Sequence, residues 1–338
     1  MATKHRAIAL TNQKGGCGKT TTAASLAGAL ALEGYRVALV DMDSQCNATA
    51  SFGLRPDELV DRGQRTVADM LLSDRGAIDC LVELGGRLKG NLVVVPGHRG
   101  LSSVPQRLES ELQAVMYSGT QSDLDADDLR RQHRYRLRNS LATLSPEFDV
   151  VVIDTPPELG FLLTASLLAS NYYLIPLKPS GYDLSGLDSL VKTVRKVKKG
   201  LNPELECAGV LQTMVDGRAT LDRQIRDLLI SKFGDDLVFN SVINTAVAHR
   251  QTTVEGKVIF ELDPQSKGAQ QYRAFAHEVI DRMGLHVDGK SEERVVELSP
   301  AEPHAAAQQV AEEASTPSLE QVHQPLASEG SSAEVNHG

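Results

Sequence analysis

The chain has 338 residues, 41% apolar and only 4% aromatic, with no Trp. That length allows one large domain or two ordinary ones, and a core of Val, Leu, Ile and Ala favours buried parallel strands over a β-sandwich. The net charge of −9 is uneven: residues 288–338 hold ten acidic and two basic side chains, so the rest is nearly neutral and a polyanion partner needs only a local basic face.

Cys17, Cys46, Cys80 and Cys207 are far apart, with no C-x-x-C pair and no zinc-type His spacing, which argues against a disulfide framework or zinc site. No secretory segment precedes the first strand and no apolar run is long enough to span a bilayer. The expectation is a cytoplasmic protein without a membrane segment.

In chain order, RAIALTN (6–12) reads as a strand and 19–33 as a helix that Gly34 can end. Between them lies Asn12-Gln13-Lys14-Gly15-Gly16-Cys17-Gly18-Lys19-Thr20-Thr21. Such a glycine-rich turn lets successive N–H groups face phosphates, and the helix start adds its positive dipole end. The expected nucleotide contacts are Lys14, Gly15, Gly16, Cys17, Gly18, Lys19, Thr20 and Thr21. Lys19 reaches the β- and γ-phosphates and Thr20 ligates Mg²⁺, while Cys17 is simply a small loop residue. The strict G-x-x-x-x-G-K-[ST] spacing is not met, because Gln13 stands at its first glycine. A turn that binds nothing is the competing reading, and the acidic motifs downstream weigh against it.

The next strand, YRVALVDMD (35–43), ends in Asp41 and Asp43, which alternation places on one side. Asp43, the outer, is positioned to orient an attacking water. Asp41 either holds the loop and Thr20 from behind or merely caps the turn. Apolar runs at 91–97, 148–154, 172–178, 208–215 and 236–243 read as further buried strands, with helices between most of them. This implies an α/β fold of the P-loop NTPase kind: a mostly parallel twisted sheet, helices on both faces, and ligands at the strands' carboxyl ends.

Residues 117–140 interrupt the pattern as a charged insertion. An acidic block precedes LRRQHRYRLR (129–138), read as a loop entering a charged, solvated surface helix. Asp154 then closes FDVVVID, where a magnesium-side Walker B carboxylate belongs, or else it caps the strand.

The helix over 184–200 buries Leu187, Leu190, Val191, Val194 and Val197 and leaves Lys192, Arg195, Lys196 and Lys199 outward. Arg218, Arg223 and Arg226 form a second basic cluster and Arg250 a third. A charged face is ordinarily only solvated. Paired across a dimer, these clusters would neutralise several phosphates and give salt-sensitive, sequence-independent DNA binding. Residues 288–338 lack aromatics and are expected to be a disordered acidic tail after a single domain spanning 1–287.

Several segments together resemble one family. KGGCGKTTTAASLAGALALEGYRVALVDMDSQCNATASFGL (14–54), VVIDTPPELG (151–160), TMVDGR (213–218) and ELDPQSKGAQQYRAFAHEVIDRM (261–283) are similar to the ParA (Soj-like) branch of the ParA/MinD deviant Walker A P-loop ATPases, over about residues 6–285. The resemblance implies ATP and Mg²⁺ as cofactors and weak, partner-stimulated hydrolysis to ADP and phosphate. By it, Lys14 reaches across an ATP-dependent sandwich homodimer to the other subunit's phosphates. Lys19 and Thr20 keep ordinary P-loop roles, Asp43 serves hydrolysis, and Asp154 serves the magnesium. The implied partners are non-specific DNA and a ParB-like centromere-binding protein, at the nucleoid. Arg195 and Arg218 resemble the family's DNA-contact positions.

The sequence departs from the family where Ser44 and Cys46 replace a Pro and a Gly, so a changed loop geometry is expected there. Asn244-Thr245-Ala246-Val247-Ala248 lacks two arginines of the corresponding family stretch. Three alternatives stand beside DNA partitioning. A ParA-like positioner of protein cargo would share the same core. A MinD-like membrane switch would need a basic amphipathic end, and the tail is acidic. An electron-donating ATPase of the nitrogenase iron-protein type would need cluster-ligating cysteines.

Overall fold

The structure, a computed structural model, describes residues 6–285 apart from 74, 118–122, 146, 180–182, 217–219 and 246–254. The expected tail, its boundary near 287, Arg218, Arg250 and residues 246–248 lie outside the described residues.

The strands are β1 (Arg6–Leu10), β2 (Val37–Asp41), β3 (Val82–Glu83), β4 (Leu92–Val95), β5 (Val150–Asp154), β6 (Tyr172–Leu177), β7 (Glu206–Val215) and β8 (Val238–Asn244). They form one sheet in the order β3-β4-β2-β5-β1-β6-β7-β8, with every neighbouring pair parallel except β3 with β4. The seven strands expected from apolar runs are all present. The eighth, β3, is a two-residue antiparallel strand at the sheet edge.

The helices are α1 (Lys19–Leu32), α2 (Asn47–Ala50), α3 (Pro56–Asp61), α4 (Val67–Leu72), α5 (Val104–Tyr117), α6 (Asp123–Ala142), α7 (Phe161–Leu168), α8 (Asp183–Gly200), α9 (Thr220–Phe233), α10 (Ile259–Leu262) and α11 (Lys267–Met283). Alternate strand residues enter two cores. Ile8, Leu10, Leu39 and Val152 pack with residues of α1, α10 and α11. Ala9, Val40, Val151 and Ile153 pack beneath α4 to α9. With both faces covered, the central strands tolerate continuous Val and Leu, and this is what made them legible.

The charged insertion differs from expectation. The described part of the acidic block is not a loop, because α6 already begins at Asp123. Nor is α6 wholly surface: Leu137 and Leu141 enter the core and His133 is buried. The expected surface helix thus has a buried stripe as well as an outer one.

Two features align the strand ends that matter. Arg36, just before β2, clasps Asp149, just before β5, through its backbone N–H (2.8 Å) and guanidinium (2.8 and 3.3 Å). The register that follows sets Asp41 opposite Asp154, and Leu10 of β1 opposite Asp154 on the other side.

Candidate nucleotide site

Between β1 and α1 the backbone turns through left-handed conformations at Gly16 (φ 72°) and Gly18 (φ 78°), where a side chain would be strained. A Cβ built at Gly15 or Gly16 meets nothing within 4 Å, so the loop faces open space. The first backbone hydrogen bond at the start of α1 is Thr22 N–H to the Gly18 carbonyl, 2.8 Å. The N–H groups of Lys19, Thr20 and Thr21 thus have no intrahelical partner, and α1 has neither a side-chain cap nor an acid in its first turn. A helix start left this way is an anion site in waiting.

The loop is braced from behind by residues that the sequence did not single out for the task. Asn12 donates through Nδ2 to the Pro176 carbonyl (2.7 Å), accepts the Lys14 N–H at Oδ1 (3.0 Å), and offers its carbonyl to Lys19 Nζ (3.4 Å). The Thr213 hydroxyl, at the end of β7, donates to the Cys17 carbonyl, 2.7 Å. Lys19 is buried by this arrangement while Lys14 is exposed. Burial pushes the Cys17 thiol up from its ordinary value, against the opposing pull of Lys19, which fits a passive loop residue.

Three carboxylates converge behind the loop, at the ends of β2 and β5. Asp154 is fully buried and neither of its oxygens has a hydrogen-bond partner among the described residues. Burial, then repulsion from Asp41, pushes it up to about 8, although Lys19 and the nearby Thr20 hydroxyl favour its charge. Asp41 is pushed up to about 6 by burial despite three donors: Thr49 N–H (2.8 Å) and hydroxyl (2.7 Å) to Oδ2, and Asp43 N–H (3.2 Å) to Oδ1. Asp43 is buried and accepts the Gln45 N–H, 2.9 Å. Asp41 therefore orders the turn that carries Asp43, and Thr49 orders Asp41.

Thr49 and Gly97 were missed because their partnership needs β2 beside β4. The Thr49 hydroxyl accepts the Gly97 N–H at 2.9 Å, and a Cβ at Gly97 would sit 2.9 Å from Asp41 Cγ. After Asp43, Cys46 takes a left-handed backbone (φ 56°), the conformation that glycine adopts without strain.

The basic candidates separate from this site. Lys192, Arg195, Lys196 and Lys199 are exposed on α8, and Arg223 is exposed on α9. Arg226 is partly withdrawn, donating to the Phe239 carbonyl at 2.8 Å. The described cysteines are free. Among the described residues, no group of three His, Cys, Asp or Glu side chains forms a metal cage, and no helix is long and apolar enough to cross a membrane.

Residues 5–207 match the AAA domain family. The chain is 36% identical over 281 residues to the chromosome partitioning protein ParA of Myxococcus xanthus, covering 83% of this chain and 90% of that protein. The chain belongs to the ParA (Soj-like) family. The sporulation initiation inhibitor protein Soj of Bacillus subtilis is a further ParA-family relative, 36% identical over 272 residues, 80% of this chain and 97% of Soj. Among solved structures, cobyrinic acid a,c-diamide synthase from Mycobacterium smegmatis, with bound ATP analog and magnesium, is similar at TM-score 0.65 and 30% identity. That match covers 83% of this chain and 96% of the other.

Proposed function

We propose that this ParA-family chain is a DNA-partitioning ATPase whose Mg-ATP-bound form is a sandwich homodimer that holds DNA without sequence preference. The observation that carries the nucleotide reading is Asp154: a fully buried carboxylate with both oxygens unpartnered, beside Lys19 and Thr20 at the mouth of the glycine loop. Leaving such a group unpaired is costly, and a divalent cation is the partner its chemistry suits. The donor set fits magnesium, which takes one or two carboxylates together with phosphate oxygens rather than a cage of protein ligands.

In this reading the loop N–H groups from Gly15 to Thr21 and Lys19 bind the phosphates. Thr20 and Asp154 hold the magnesium, Asp154 directly or through water. Bound there, the ion would neutralise charge on the β- and γ-phosphates. Asp41 keeps Asp43 in place, and Asp43 orients water for attack. Lys14, exposed at the front of the loop, is available to the second subunit's phosphates. Lys192, Arg195, Lys196, Lys199, Arg218, Arg223 and Arg250 are the candidate DNA contacts. Weak basal turnover, raised by DNA and a ParB-like partner at the nucleoid, completes the proposal.

The test is DNA co-sedimentation with ATP, ADP or no nucleotide across a salt series. ATP-specific, salt-sensitive pelleting is expected. Equal binding in all three states would remove the switch, and no binding would favour a protein-cargo positioner.

A further inference from the structure

The arginine run at 129–138 acquires a neighbour in the fold. Leu137 and Leu141 of α6, Leu190 and Val194 of α8, and Leu229 of α9 enter the same core beneath one face of the sheet. The outer faces of these helices consequently look to the same side of the molecule. The Tyr135 hydroxyl donates to the Leu201 carbonyl at 3.2 Å, two residues beyond Lys199, so α6 meets the end of α8 directly. A shallow groove at this junction, about 380 Å³, is lined by Asp127, Arg130, Arg131, Arg134, Tyr135 and Leu201.

Two arginines of the run are engaged locally. Arg130 pairs with Asp127 at 2.7 Å, and Arg136 donates to the Leu71 carbonyl at 3.0 Å. Arg131, Arg134 and Arg138 make no hydrogen bond or ion pair among the described residues. They lie within about 60° of helix arc and span roughly 10 Å of its axis. A second groove that shares Arg131 and Tyr135 with the first is lined also by Asp128, Gln132, Arg138 and Asn139.

A DNA strand presents one phosphate per about 3.4 Å of axis, so roughly 10 Å matches about three. An acidic peptide would match the charge too. A stable peptide site, however, is anchored by apolar side chains in buried pockets; Arg134 does border Leu108, Leu112 and Phe161, but the groove along Arg131 and Arg138 is lined by polar side chains and Tyr135.

We propose that α6, through Arg131, Arg134 and Arg138, continues the DNA-backbone track of the exposed basic face of α8. This rests on the DNA-binding reading above and extends it to a second helix.

The test measures the salt dependence of ATP-state DNA binding for wild type, R131Q/R134Q/R138Q and R131K/R134K/R138K, with the melting temperature checking that each folds. The Gln variant should reduce the slope of log affinity against log salt by about 2 to 3 for each subunit that contacts the DNA, and the Lys variant should restore most of it, because phosphate contacts read charge. A slope in the Gln variant equal to wild type overturns the α6 track while leaving the partitioning reading intact. So does a variant that binds DNA normally but loses binding to polyglutamate, which would assign the stripe to an acidic protein segment. Wild type that binds no DNA in any nucleotide state removes both proposals together.

Discussion

Thr49 holds Asp41 from two sides at once, donating both its backbone N–H (2.8 Å) and its hydroxyl (2.7 Å) to the same carboxylate oxygen. The hydroxyl also accepts the Gly97 N–H, so one side chain links the ends of β2 and β4 with the start of α2. Replacing Thr49 by Val keeps the shape but strips a donor from a buried carboxylate and an acceptor from a buried N–H. Thr49→Val should cost about 1–3 kcal/mol in chemical denaturation, with Thr49→Ser close to wild type. Equal stability of the Val variant would show that the linkage contributes nothing.

Cys46 holds a left-handed backbone with a side chain attached, a conformation costing roughly 1–2 kcal/mol for most residues. Cys46→Gly should therefore stabilise the protein modestly, by about 1 kcal/mol or less after the extra freedom of glycine in the unfolded chain is counted. Thermal melting decides the sign; a clear loss would mean that the buried thiol's packing outweighs the strain.

Burial pushes Asp154 up to about 8, so without a ligand folding at neutral pH requires this carboxylate to take up a proton, a cost that Asn lacks. Asp154→Asn should raise the melting temperature of nucleotide-free protein at neutral pH and abolish the further rise given by Mg-ATP. Scanning calorimetry with and without Mg-ATP reads both effects. A variant that still gains stability from Mg-ATP as wild type does would contradict the assignment of Asp154 to the magnesium.

The Lys14 side chain is exposed, whereas that of Lys19 is buried. Lys14→Ala is expected to keep ATP binding by the single subunit while losing ATP-dependent dimerisation and turnover. Equilibrium dialysis and sedimentation velocity separate the two. Dimers of normal strength in the variant would take Lys14 out of the shared interface.

His133 on α6 gives a pH prediction. Burial, then the neighbouring Arg136, lowers its affinity for protons, against the opposing pull of Glu111 and Glu109. Its Nε2 lies 3.1 Å from Glu111 but not aligned to hydrogen bond with it. A histidine kept neutral by the fold contributes stability that is complete above the ordinary value of 6.5 and is lost as pH falls below it. His133→Gln should flatten that acid-side loss in urea titrations between pH 7 and about 5. An unchanged profile would mean that other groups govern it.

The legible parts of this protein were those whose signal is local. Val150 to Asp154 and Val37 to Asp41 announce themselves as fully buried strands, and the glycine loop announces its own turn. Asp41, left open between holding the loop with Thr20 and capping its own turn, accepts the Asp43 N–H, a bond within that turn. What could not be read depends on order in the sheet. Gly97 serves Asp41 only because β4 lies beside β2, and Thr213 braces Cys17 only because β7 ends near β1's loop. A two-residue strand such as Val82–Glu83 has no periodicity to detect. The start of α6 read as a loop because its run of acidic residues has no apolar periodicity to detect.

The bond from Thr213 to the Cys17 carbonyl makes the phosphate loop and the tip of β7 one mechanical piece. The next helix in sequence, α9, begins at Thr220 and carries the exposed Arg223. Any displacement of the loop as its phosphate load changes must therefore be shared by the end of β7.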